Sequence, residues 1–149
     1  MMRTILTNTA FTVCLSAFCV STASAQSTLN GFWRNTDKNT RGVTKLLVTG
    51  SGNNYTIRAW GKCHPSDCYW GSRKLHVLGT SVSSKTKRYG FAVYNQKFAV
   101  KYMSLRRVGN YLIAEINTIF LDNSGRSNYR STYTFRRNLR TLPVGTIKR

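Results

Sequence analysis

Residues 57–71 decide how this chain is read: Ile57-Arg58-Ala59-Trp60-Gly61-Lys62-Cys63-His64-Pro65-Ser66-Asp67-Cys68-Tyr69-Trp70-Gly71. A Trp-Gly pair stands on each side of a Cys-His-Pro-Ser-Asp-Cys loop. Proline presets a turn, and Ser and Asp hydrogen-bond their own nearby backbone, so the chain reverses direction here. The reversal brings Cys63 and Cys68 within bridging range, and a disulfide across a loop joining two strands is one reading. A ring this short contributes about 2 kcal/mol on the chain-entropy model. The other reading takes Cys63, His64, Asp67 and Cys68 as metal ligands. Zinc sites more often pair two short Cys or His spacings, and no second cluster occurs in the sequence. The disulfide is therefore the expectation, with no metal and no cofactor. An aromatic beside a glycine on each arm predicts close backbone approach or a bulge.

On either side of this loop, runs of β-branched and aromatic residues recur between turn signals. No long apolar run with a 3.6-residue period occurs. Strands are predicted at 31–36, 43–49, 55–62, 69–78, 89–94, 97–108, 111–120 and 128–137. Gly50-Ser51-Gly52-Asn53-Asn54, Asn95-Gln96, Gly109-Asn110 and Asp122-Asn123-Ser124-Gly125 supply turns between them. Sequential strands with short connections predict an all-β fold, a single eight-stranded up-and-down antiparallel β-barrel. A barrel of that size is filled by side chains or holds one small ligand.

Alternation assigns the faces. In the last strand Tyr129, Ser131, Tyr133 and Phe135 share one side, and Arg130, Thr132, Thr134 and Arg136 the other. In the seventh, Leu112, Ala114, Ile116 and Phe120 oppose Glu115 and Asn117. In the sixth, Phe98, Val100 and Tyr102 oppose Lys97 and Lys101. The basic sides are assigned outward, because an unpaired cation is costly to bury. A polyanion-binding outer wall is thereby predicted from Lys97, Lys101, Arg107, Arg130 and Arg136, with Glu115 near its middle. The competing reading makes these ordinary solvated strand faces.

The first 25 residues read as a secretory signal peptide. Arg3 supplies the positive end, residues 5–20 are mostly apolar, and Ala23-Ser24-Ala25 makes a small-x-small cleavage site. The apolar run is too short and interrupted for a membrane span, so no integral membrane protein is expected. Cys14 and Cys19 would leave with the leader, and the bulky residues before them argue against lipid anchoring. Residues 26–137 then form the barrel domain and 138–149 a basic tail. A chain that keeps two Cys fits an oxidising compartment, secreted or periplasmic in a bacterium. The formal net charge is +19, from 23 Lys and Arg against four acidic residues. Losing Arg3 leaves about +18. Solubility needs a far smaller excess. The field of such a chain attracts anionic polymers and surfaces, among them nucleic acid, anionic glycan and lipopolysaccharide.

Gly31-Phe32-Trp33-Arg34-Asn35 resembles the Gly-x-Trp opening of the calycin barrels, the lipocalins and avidins. Arg136 and Arg137 resemble the basic residue that those barrels pack over the Trp. No further part of an avidin biotin site is matched, and biotin binding is not carried over. The stretch 60–71, with Asn39-Thr40-Arg41-Gly42 before it and residues 122–129 after it, resembles small secreted bacterial β proteins with a W-G-K-C-H-P-x-D-C-x-W-G segment. That likeness implies the compartment and the fold, and no activity.

The chemistry is sparse. Asp37, Asp67, Glu115 and Asp122 are the only acids and show no paired spacing for glycoside hydrolysis. No Ser elbow or Cys nucleophile pattern occurs. His64 and His76 among many cations leave a basic secreted ribonuclease as a distant possibility, and no catalytic residue is assigned. Two binding readings stand above it. One is a polyanion-binding outer wall, in which Tyr and Arg stack on bases or sugars. The other is a small-molecule ligand at a barrel mouth near Trp33, Asn35, Trp60 and Trp70, whose bland counterpart is core packing by large aromatics.

Overall fold

A computed structural model describes residues 29–138. The predicted leader, and all of the predicted tail but Asn138, lie outside the described residues. Eight strands follow in order: β1 (Gly31–Asn35), β2 (Val43–Ser51), β3 (Asn54–Gly61), β4 (Cys68–Leu78), β5 (Tyr89–Gln96), β6 (Ala99–Val108), β7 (Tyr111–Phe120) and β8 (Tyr129–Arg137). Each pairs antiparallel with the next, and β1 pairs with β8 to close an up-and-down barrel. The predicted strands are therefore present, with ends shifted by no more than two residues. Every strand has a neighbour on each side, but two seams are short: β4 and β5 share only three residue pairs, as do the five-residue β1 and β8.

Inward positions of every strand supply the core. Trp33, Leu46, Ile57, Leu75, Met103, Leu112, Ile116 and Phe135 are no more than 2 % exposed. Burying each such side chain contributes about 1.5–3 kcal/mol, so the barrel is held by its contents. Tyr94 lies among them and donates its hydroxyl to the Ile57 carbonyl at 3.1 Å. Burial pushes the Tyr94 phenol up, so it stays a neutral donor.

One end of the barrel, where β1 begins and β6 ends, is sealed. Leu29 is buried there, and Trp33 Nε1 donates to its carbonyl at 2.9 Å. The guanidinium carbons of Arg137 and Arg107 lie 5.6 and 5.8 Å from the Trp33 ring centre. Arg137, rather than Arg136, is thus the basic residue of the last strand that packs over Trp33. The other end carries the β3–β4 hairpin. Cys63 and Cys68 form a disulfide there, with Cα atoms 5.5 Å apart.

The two Trp-Gly pairs flanking this hairpin are unequal. Trp70 turns inward and packs edge-on against Tyr94. A Cβ on Gly61 would meet the Trp70 indole at 2.7 Å, so glycine makes room for the ring. Trp60 faces outward and touches Tyr69, with ring centres 5.2 Å apart. A register shift between Arg58 and Trp60 lets the paired strand carry an extra residue, and Gly71 takes φ +92° at this bulge.

The predicted faces hold for β7 and β8. Leu112, Ala114, Ile116 and Phe135 are buried, whereas Arg130, Thr132, Thr134 and Arg136 are exposed. For β6 the assignment is reversed. Ala99, Lys101, Met103 and Leu105 point inward, and Tyr102 lies outside. Both parities of β6 carry apolar residues, and Phe98, Val93, Tyr102 and Ile119 remain exposed on an apolar patch of the outer wall. Met103 and Leu105 fix the inward set, and Lys101 goes inside with them.

Candidate functional site

Register alignment builds a row across the outer wall. Tyr111 pairs with Arg136, Arg136 with Arg34, Arg34 with Lys45, Lys45 with Trp60, and Trp60 with Tyr69. Three cations on adjacent strands are thus flanked by aromatics, at steps of about 5 Å set by strand spacing. The residues come from opposite ends of the chain, and closure of β1 on β8 brings them together. A groove of about 690 Å³ lies beside the Tyr111–Arg136–Arg34–Lys45 part of this row. Arg34, Lys38, Lys45, Lys62 and Arg136 line it, with Tyr111, Asp37 and Asp67.

Asp67 organises the groove's rim. Its carboxylate lies 3.1 Å from Lys45 Nζ and accepts from the Thr44 hydroxyl at 2.9 Å. Burial would raise this carboxyl, but those two donors and the charges of Lys45 and Lys62 outweigh it and hold it below the ordinary range. Lys45 also lies 5.5 Å from the Trp60 ring centre, so the ammonium is fixed beside an aromatic face. Arg34 stacks likewise over Phe32 at 5.5 Å.

The five cations expected to form one wall are dispersed. Lys97 is exposed in the β5–β6 turn. Arg130 is outward and paired with Glu115. Arg136 joins the groove. Lys101 is inside the barrel and 7 % exposed, which corrects its outward placement. Arg107 is not on the outer wall either. It turns toward Trp33 at the sealed end, where desolvation and the charges of Arg137 and Arg88 lower its pKa.

The four residues proposed for a mouth pocket do not meet. Trp33 is fully buried at the sealed end and Trp70 lies at the opposite one. Trp60 is on the outer wall. Asn35 donates to the Val43 carbonyl at 2.6 Å and lines the outer groove. His64 sits in the disulfide loop and His76 near the far end of β4. About eight strand residues, or roughly 25 Å, lie between them, too far for a shared acid–base step. Among the described residues no group of three or more His, Cys, Asp or Glu could hold a metal ion.

Sequence reasoning missed Arg34, Lys38, Lys45 and Lys62. The available signal was closure itself, since a barrel that begins and ends with strands must place the first beside the last. No protein-family model, curated protein or solved structure matches the chain.

Proposed function

We propose that this protein is a secreted or periplasmic binding module that holds an anionic polymer along the outer face of β8, β1 and β2. The observation that carries this reading is the aligned row Arg136–Arg34–Lys45, set between Tyr111 on one side and Trp60 with Tyr69 on the other. Cations at steps of about 5 Å meet successive charges of an extended chain, while the flanking rings stack on its sugars or bases. Only Asp37 and Asp67 among the groove residues oppose this charge, and Asp67 is engaged by Lys45. The Cys63–Cys68 disulfide fits an oxidising compartment.

The test is the salt dependence of binding to a single-stranded oligonucleotide and to heparin. Each phosphate contact adds about 0.7 to the slope of log K against log salt for single strands. Arg34→Ala with Arg136→Ala should weaken binding and reduce that slope by about 1 to 2. Arg130→Ala, at a residue that does not line the groove, should leave the slope near the wild-type value. A double variant that retains the wild-type slope would overturn the reading.

A further inference from the structure

Lys101 is a buried cation without an acidic partner. Its residue is 7 % exposed, and it lies near the hairpin end of the barrel, where it and Trp70 line one cavity. Nζ donates to Thr118 Oγ1 at 3.2 Å and lies 5.2 and 5.8 Å from the Trp70 and Tyr129 ring centres. An ammonium has three protons to donate. Among the described residues, one of them finds a hydrogen-bond acceptor. The chain has no carboxylate side chain to spare for the others. Asp67 serves Lys45 and Thr44, Glu115 serves Arg130, Asp122 serves Arg126, and Asp37 accepts from the Asn39 amide. Buried charges are ordinarily paired, because desolvation is otherwise uncompensated.

This cavity has a volume of about 120 Å³. Arg41 and Lys62 line it, together with Thr118, Ser131, Tyr133 and Trp70, and no carboxylate does. The space corresponds to about four water volumes. A tetrahedral oxyanion fits a space of that size. Cations at its floor and rim, with hydroxyls on the walls, supply donors and no opposing charge.

We propose that this mouth binds a phosphate or sulfate group, with Lys101 at the floor and Arg41 and Lys62 at the rim. The group is either the free ion or the monoester end of a larger molecule. The site is independent of the outer groove except for Lys62, which lines both.

The test follows the Trp70 indole N–H by NMR during titration with inorganic phosphate, inorganic sulfate and methyl phosphate, at ionic strength held constant with chloride. A saturable shift of that signal is expected. Preference for methyl phosphate assigns the ester-borne group, and preference for the inorganic ions assigns the free ion. Lys101→Met should weaken binding about tenfold or more, the equivalent of one charged hydrogen bond. Arg41→Ala, at the exposed rim, should weaken it in a background whose fold is not at issue. The double variant Arg34→Ala/Arg136→Ala should titrate like the wild type, which separates this site from the groove. Absence of a saturable Trp70 shift, or equal affinity in Lys101→Met and Arg41→Ala, would overturn the proposal.

Discussion

At the scale of single residues, steric fit and charge pairing decide the outcome. Gly61 exists to receive the Trp70 ring, so Gly61→Ala should destabilise the fold by about 1–3 kcal/mol, an overpacking effect. Urea denaturation with Trp fluorescence measures it, and an unchanged midpoint would show that the ring yields freely. Lys101 is the opposite case. A lone buried cation is not there for stability, and Lys101→Met should leave the thermal midpoint equal or higher. Asp67 gives a pH signature. Its folded pKa is depressed, so its contribution is present above the unfolded pKa of about 4 and is lost as pH falls through the folded value. Asp67→Asn should therefore be less stable than wild type at neutral pH, by at most about 1 kcal/mol for so exposed a pair. The gap should close in acid, and a gap independent of pH would exclude the carboxylate as its cause.

At the scale of elements, the β3–β4 hairpin carries most of what could be read in advance. The Pro-Ser-Asp turn and the two Cys pointed to the reversal, and glycine beside each Trp pointed to close approach or a bulge without placing either. Removing the staple by Cys63→Ser with Cys68→Ser should lower stability by about 2 kcal/mol through the freer unfolded loop. Denaturant midpoints of the oxidised wild type and the double variant compare directly. Strand β6 shows where local pattern fails. Phe98, Val100 and Tyr102 look like a core face, yet they pave the outer wall, because Met103 and Leu105 on the other parity win the interior. Alternation fixes that two faces exist. Which of them is inward depends on packing across the whole barrel when both are apolar. The same limit hid the roles of the Trp residues, since Trp60 and Trp70 differ in face by a bulge that no local pattern places.

At the scale of the whole molecule, closure is what makes a site. The strands and their order were legible because turn chemistry punctuates them, and an up-and-down barrel follows from sequential strands. The candidate groove was not legible from any segment, because Arg34 and Arg136 are a hundred residues apart until β1 pairs with β8. The barrel thus acquires an outer wall with two characters. The β8–β1–β2 side is basic and grooved, and the β5–β6–β7 side carries exposed apolar residues such as Val93, Tyr102 and Ile119. A uniform cationic field would attract polyanions to any side, whereas an ordered row of cations selects one. Amide chemical-shift mapping with a short heparin oligosaccharide distinguishes these most directly. Binding by the row should concentrate perturbations at Arg34, Lys45, Arg136, Tyr111 and the Trp60 indole, and Arg34→Ala/Arg136→Ala should abolish them. Perturbations spread evenly over the barrel, or centred on β5–β6–β7, would contradict it.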